Sequence, residues 1–396
     1  MKLLLVGGTG CLSTAVTQEA LKKGVEVFMI NRGNRTELIP QDVHLLKADI
    51  NDKQRIYNLI DSLHFDAVID FICYTEKQLE YSFNLSKNKT NQYIFISSCA
   101  VYNTEICRIC DEDSPKILPI WQYSVDKNKC EELLMKLAKN SKTNYTIIRP
   151  GVTYGNTRVP YGITPPYGCH WTIVERILHG KPIITWNNGD NYCNITHVDD
   201  FAVGVVGLLG NNKSYNEAYN VVGDETPTWK DVLDVLSELL GKKVNTFDIP
   251  GEYYANEIPS RKGEILGGRC SSGKCSNKKI KAIVPEFKQS ISLREGLKRT
   301  LDYYKSNNYL FGIDYSFDAD TDRIIAKYAK ENKMSEQGKG LYYIDYLKQN
   351  NYKNRWIYIL YYHKDNYLLK FTFFIIRAFK KIIRNKYAVS IKKNGK

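Results

Sequence analysis

The chain has 396 residues, 43% hydrophobic and 25% charged, the profile of a soluble globular protein with room for two cooperating lobes and an extra segment. Its net charge of +13 is concentrated: residues 351–396 hold nine Lys and three Arg against one acid, Asp365. The body is therefore near neutral, which excludes an inference from overall basicity to nucleic-acid binding.

The apolar run after Lys2 is four residues long with no cleavage site behind it, which predicts no secretory leader and a cytoplasmic protein. The ten Cys then read as free thiols of a reducing compartment. Cys107 and Cys110 form a CxxC, and Cys270 and Cys275 a looser pair. Zinc is the minor alternative, because no His stands at a useful spacing.

"KLLLVGGTGCLS" predicts a strand, a turn through Gly7, Gly8 and Gly10, and an amphipathic helix over about 12–23 that ends at Gly24. A second strand follows over 25–30. Glycines permit the tight turn and close approach to a pyrophosphate, and a helix amino-terminus offers unpaired N–H groups. Gly7, Gly10 and the helix-opening Cys11 and Leu12 are the candidate phosphate contacts. Ser13 stands where the usual pattern has a third glycine, and is small enough for close helix–strand packing. After the second strand come Asn31, Arg32 and Arg35, with no carboxylate to repel a 2'-phosphate. Guanidiniums there pair with one, so NADP is the first expectation and NAD the second; the plain alternative is two solvent-facing arginines.

"VHLLKAD" is the next strand, ending at Asp49 and Ile50, where an acid can meet the adenine amino group. A helix over about 53–63 and the buried strand "DAVIDFICY" follow. The alternation predicts an α/β fold: a Rossmann-type parallel sheet with helices on both faces. A smaller α/β substrate lobe and an extra carboxyl-terminal helical segment complete the expectation. The expected domains are 1–150, with sheet additions from about 190–222, then 151–305 and 306–396.

"NQYIFISSCAVY" is a further strand ending at Ser97 and Ser98. Tyr123 follows 25 residues after Ser98, and Lys127 lies one helical turn beyond on the same face of the helix that "YSVDKNKCEELLMKLAK" predicts. These residue types suit hydride chemistry at a carbinol or carbonyl carbon. A phenol whose pKa is brought down from about 10 takes or returns the hydroxyl proton, and a nearby ammonium favours the phenolate. Ser98 orients the substrate oxygen.

With these pieces in order, the chain resembles the extended short-chain dehydrogenase/reductase superfamily, the NAD-dependent epimerase/dehydratase family. The resemblance rests on Gly7, Gly10, Asp49, "SSCAVY", "YSVDK", "IIRPGVTYG" and "ITHVDDFA", and covers residues 1 to about 305. It implies Tyr123 as acid/base, Lys127 as its partner and ribose ligand, and Ser98 as the donor to the substrate oxygen. Pro150 joins the cofactor contacts at the end of its strand. The dehydratases of this family carry Thr-Asp-Glu where this chain has Ser98-Cys99-Ala100, so no acid is placed to protonate a leaving hydroxyl. Reduction, oxidation or epimerisation remain, and a nucleotide-linked sugar is the substrate the resemblance implies.

In the substrate lobe, "WTIVERILHG" and "TPTWKDVLDVLSELLG" predict helices, the latter starting at Thr226–Pro227. "NVVG", 220–223, predicts a strand. Asp199 and Asp200 of "HVDD" read as a helix cap and start signal rather than a metal pair. Arg158, Arg176 and Arg261 are candidate diphosphate cations, with surface charge the plain alternative. Beyond about 310 the resemblance ends. "DADTDRIIAKYAKENKM" suits a helix. "WIYILYYHKDNYLLKFTFFIIRAFKKIIRNKY" is aromatic, apolar and basic, without an 18-residue uncharged run. Docking on the body, a homodimer contact, an anionic bilayer surface at the inner membrane face and, less favoured, nucleic acid stay open for it. An NAD(P)-dependent oxidoreductase or epimerase is thus the first reading. The alternatives are an RNA- or macromolecule-binding protein on the same fold and a reductase of a small non-sugar carbonyl compound.

Overall fold

A computed structural model describes residues 1–116, 120–334, 336–348 and 352–366. Apolar runs and helical periods alternate along its first half. β1 (Lys2–Val6) passes through the glycine turn into α1 (Cys11–Lys22), β2 (Glu26–Asn31), β3 (Val43–Lys47), α2 (Lys53–Ile60), β4 (Phe65–Asp70), α3 (Glu76–Ser86) and β5 (Thr90–Ile96). The two-residue β6 (Ile109–Cys110) precedes the long α4 (Gln122–Ala138), which returns to β7 (Asn144–Pro150) and β8 (Val152–Tyr154). Then come α5 (Trp171–Leu178), β9 (Ile183–Thr185), β10 (Ile195–His197), α6 (Val198–Gly207) and β11 (Glu217–Val221).

Seven strands form one sheet in the order β3-β2-β1-β4-β5-β7-β11, with every pairing parallel. This is the expected Rossmann-type sheet. β1 reads as an unbroken apolar run because helices cover both faces, and Leu3 to Val6 are at most 2% exposed. Val16 and Ala20 of α1 share one core with Phe201 and Val205 of α6, while Cys130 and Leu134 of α4 join the core on the opposite face. Strand order reverses between β1 and β4, so the carboxyl ends of β1, β4 and β5 open onto a common crevice.

The second lobe adds α7 (Trp229–Leu240), β12 (Thr246–Asp248), α8 (Gly251–Glu257), α9 (Lys262–Glu264), β13 (Lys274–Cys275), α10 (Lys278–Ile283) and α11 (Leu293–Ser306). Three short parallel pairs, β8–β10, β9–β12 and β6–β13, lie outside the main sheet, and the last joins β13 of the second lobe to the first. α7 starts two residues later than Thr226–Pro227 suggests: Thr228 caps it in a capping box with Asp231, and Gly241 closes it in the left-handed region. The cap of α6 is also not the expected one. His197 Nδ1 accepts from the Asp199 N–H, while the buried Asp200 carboxylate accepts from the Ser290 and Ile291 N–H groups and ties the approach to α11 onto α6. Sequence could not separate these roles, because the partners of Asp200 lie about ninety residues away.

The carboxyl-terminal extension is built into the second lobe as far as it is described. Ile324, Ile325 and Ala329 of α12 (Tyr315–Glu331) share the core with Trp171, Val174 and Phe247. Fully buried Asp318 and Asp322 on α12 face Arg176 and Lys181 of the lobe, two anions against two cations. Tyr346 donates to Asp318 at 3.2 Å, and Tyr358 of α13 (Tyr352–Tyr362) donates to Asp322 at 2.6 Å. Arg176 is therefore a core residue locked to the extension and not a diphosphate cation. The basic stretch 367–396 lies outside the described residues, and its readings as dimer, bilayer or nucleic-acid contact rest on sequence alone. Among the described residues no helix is long and apolar enough to cross a membrane.

Candidate active site

The glycine turn follows from contacts that forbid side chains. Gly7 has φ +79°, and a Cβ there would stand 2.7 Å from Ile72 Cγ2. Its N–H donates to Ile30 O at 3.1 Å, closing the turn against β2. Gly10 opens α1. Ser13 is buried, and its Oγ accepts from Gly10 N at 3.0 Å. The serine thus keeps the close packing of a third glycine and also caps the helix start. Cys11 and Leu12 follow on the first turn, Leu12 facing the crevice. Burial pushes the Cys11 thiol up, opposed by the Arg158 guanidinium.

At the end of β2, Asn31 turns inward. Its Oδ1 accepts from Gly33 N at 2.9 Å and its Nδ2 reaches Thr9 Oγ1 at 3.4 Å, so it holds the two loops together. Arg32 is exposed and Arg35 half-buried, and neither meets a carboxylate among the described residues. The Lys47 stem lies over Gly33, where a Cβ would be 2.9 Å from Lys47 Cε, and brings a third cation that the sequence reading missed. Asp49 is exposed and accepts from the Asn51 N–H and Nδ2, both at 2.9 Å, in the turn where Ile50 packs against the core.

The end of β5 and the start of α4 bring Ser98, Tyr123 and Lys127 into one cleft of about 490 Å³. Ser98 Oγ accepts from Ala100 N at 3.1 Å in the turn after the strand, which fixes the hydroxyl. The Tyr123 phenol lines the same cleft, and the Ser98 hydroxyl acts to lower its pKa. Lys127 is only 3% exposed and donates to the carbonyls of Cys73 and Ile96, both at 2.7 Å, bridging the ends of β4 and β5. Its Nζ is 4.7 Å from the Tyr74 ring and 5.8 Å from that of Tyr123. Burial pushes the Tyr123 phenol up, while the Ser98 hydrogen bond and the cations Arg269 and Arg158 pull it back. Burial pushes the Lys127 ammonium down, and Cys73, Cys130 and Asp70 oppose it. Burial thus opposes the lowered phenol expected from the sequence, and the groups that pull it back are Ser98, Arg269 and Arg158 rather than the expected Lys127 ammonium.

Beneath the cleft a closed polar network sets the frame. Arg149 on β7 grips Glu131 on α4 through Nε at 2.9 Å and Nη2 at 2.7 Å, and donates to Tyr102 at 2.7 Å. Ser97 Oγ donates to Glu131 at 2.6 Å, so the residue next to Ser98 is tied to the helix that carries Tyr123 and Lys127. The opposite wall is a π-turn, Ile265–Arg269, lying on Trp121. A Cβ on Gly267 would be 2.9 Å from Trp121 Cβ, and one on Gly268 3.0 Å from Trp121 Cζ3, so those glycines let the wall meet the indole. Arg158 and Arg269 line this side of the cleft. Arg261 does not line it; it donates to the Thr164 carbonyl and to Glu264, a carboxylate that lines the cleft and also accepts from Arg269 Nη2 at 3.1 Å. Arg269 escaped the sequence reading, although "GGR" in a glycine-rich turn was the available signal. Pro150 lines the floor. Among the described residues no group of His, Cys, Asp or Glu is arranged to hold a metal ion.

The model of the NAD dependent epimerase/dehydratase family matches residues 3–222. The chain belongs to that family. It is 28% identical over 244 residues to the chloroplast stem-loop binding protein of 41 kDa b of Arabidopsis thaliana, across 58% of this chain and 60% of that protein. It therefore spans about three-fifths of that relative. It is 22% identical to a putative UDP-glucose 4-epimerase of Methanocaldococcus jannaschii, across 77% of this chain and 99% of that one. In fold it is similar to the UDP-glucuronic acid 4-epimerase from Bacillus cereus in complex with NAD, with a TM-score of 0.61, 21% identity, and coverage of 78% of this chain and 97% of that chain.

Proposed function

We propose that this enzyme carries out reversible hydride transfer at a carbinol or carbonyl carbon of a nucleotide-linked sugar, as an oxidoreductase or epimerase, with NADP preferred over NAD. The observation that carries the reading is the convergence of Ser98, Tyr123 and Lys127 on one cleft whose far wall presents Arg158 and Arg269. The nicotinamide cofactor supplies or accepts the hydride when bound. Gly7, Gly10 and the first turn of α1 offer backbone N–H groups to its phosphates. Lys127 sits where it can exchange a carbonyl partner for ribose hydroxyls. Ser98 holds the substrate oxygen, and Tyr123 takes its proton in oxidation and returns it in reduction. Arg158 and Arg269 are the cations for a diphosphate.

The NADP preference rests on Arg32, Arg35 and Lys47 around the turn after β2, which lacks a carboxylate at Asn31. Against it stands the NAD named in the Bacillus cereus complex. Titrating NAD(H) and NADP(H) into cofactor-free protein tests the reading. Tighter NADP(H) supports it, and tighter NAD replaces the cofactor assignment. A second reading, an RNA-binding protein on this fold, is favoured by the stem-loop binding relative and the basic 351–396 region. Binding of a stem-loop RNA with no affinity for either cofactor would establish that reading instead.

A further inference from the structure

Four of the ten cysteines gather beside the cleft. Cys99, Cys107 and Cys275 pack around Cys110, Val101 and Tyr102. β6 and β13 pair in parallel with Cys275 in register with Cys110. That pairing rests on few bonds: Lys274 N donates to Arg108 O at 3.1 Å and Ser276 N to Cys110 O at 2.7 Å. The segments approach so closely that a Cβ on Gly273 would stand 2.4 Å from Thr104 Cγ2. As register partners in neighbouring strands the two cysteines lie side by side in one buried cluster, while the Cys110 thiol donates to the Cys107 carbonyl at 3.2 Å. Cys275 opens on the cleft, and Cys110 is sealed behind it.

We propose that Cys110 and Cys275 are a disulfide-forming pair, oxidised by small-molecule disulfides that enter through the cleft, and that the cross-link pins the 271–275 wall to the loop after Ser98. Cys275, having lost its proton to water, attacks the small disulfide and releases one small thiol. Cys110 loses its proton and attacks the Cys275 sulfur of the mixed disulfide, releasing the second. Two protein thiols are oxidised and one small disulfide is reduced to two thiols, with no other reactant. The neighbouring Cys275 and burial push the Cys110 thiol up, and for Cys275 the lowering by Cys110 is outweighed by Cys99 and burial, so the exchange is slow at neutral pH and quickens as pH rises. Cys107 also neighbours Cys110 and Cys99 also neighbours Cys275, but the Cys107 thiol donates to the Ile109 carbonyl at 2.9 Å and the Cys99 thiol to the Arg149 carbonyl at 3.2 Å. Cys73 and Cys130 are also neighbours, but both are sealed in the core at 1% and 0% exposure, so the same reagent leaves them reduced.

The test treats the full chain with oxidised glutathione at pH 8 to 9 and maps peptides without reduction. The expected result is a Cys110–Cys275 cross-linked peptide and amide exchange across 271–276 slowed about tenfold, because local opening of the short β6–β13 pair is suppressed. Dithiothreitol reverses both, and Cys110→Ala shows neither while keeping the exchange pattern of the reduced protein. A Cys107–Cys110 bond in its place, stable glutathionylation without cross-link, or a cross-link that leaves exchange unchanged would each overturn the proposal. The readouts are covalent state and local opening, so the result is independent of the proposed activity.

Discussion

Asp318→Asn should loosen the second lobe's hold on its extension. The Asp318 carboxylate is fully buried and accepts from Arg176 Nη1 at 2.5 Å, Lys181 Nζ at 3.0 Å and Tyr346 Oη at 3.2 Å. With Asp322 it balances two buried cations, so the amide leaves one positive charge in the interior without its counter-ion. Breaking a buried pair in this way costs about 3–5 kcal/mol. For a unit of 150–250 residues, that lowers Tm by roughly 6–20 °C. Asp320→Asn is the control, since Asp320 pairs with Arg323 and Lys364 at a partly exposed site. Its loss should cost about 1 kcal/mol or less. Urea unfolding followed by circular dichroism gives both values, and limited proteolysis should show the region after 310 released first in the Asp318 variant. Equal, small losses in the two variants would mean that the extension is an ornament on a self-sufficient lobe.

The remaining predictions concern the cleft. Glu131 is buried, which raises its pKa, but the Arg149 hydrogen bonds and the charges of Arg149 and Lys116 outweigh burial and hold the carboxyl below the ordinary 4.5. Its folded value being depressed, it contributes stability above about pH 4.5 that is lost as pH falls through the folded value. Glu131→Gln should therefore cost about 3–5 kcal/mol near neutral pH and flatten the acid limb of a stability–pH curve. Arg269→Ala should raise KM for a nucleotide sugar about 10–100-fold, the loss of a charge-assisted contact. Because Arg269 also lowers the Tyr123 phenol, the rise of alcohol-oxidising rate with pH should move to higher pH in that variant. Replacing Arg32 and Arg35 by Ala should weaken NADP(H) about 10–100-fold and spare NAD(H), as isothermal titration would report.

Much of the sheet could be read from the chain because its signals are local. The run from Lys2 to Leu12 sets strand, turn and helix within a dozen residues, and the four-residue spacing of Tyr123 and Lys127 puts both on one face of α4. What escaped depends on distant partners. Arg176 looks like any helix arginine until Asp318, 142 residues later, folds against it. The role of Asp200 appears only when Ser290 and Ile291 arrive. Arg269 and the glycines beside it are an unremarkable loop in sequence, and gain meaning only where the π-turn meets Trp121. Lys47 ends a strand whose neighbour carries Gly33, a relation set by the register of β2 and β3. Bringing Ser98 and Tyr123 to one cleft needs the ends of β5 and α4 to meet, and sequence could supply only the spacing.

The most direct measurement is turnover of Tyr123→Phe beside the parent enzyme, with NADP(H) and a panel of UDP- and dTDP-linked sugars, following cofactor absorbance and sugar products. Loss of a general acid–base should lower kcat about 10²–10⁴-fold. Cofactor and sugar should still bind with parental affinity, because Lys127, Arg158 and Arg269 remain in place. A variant that turns over as fast as its parent would contradict the assignment of chemistry to this cleft.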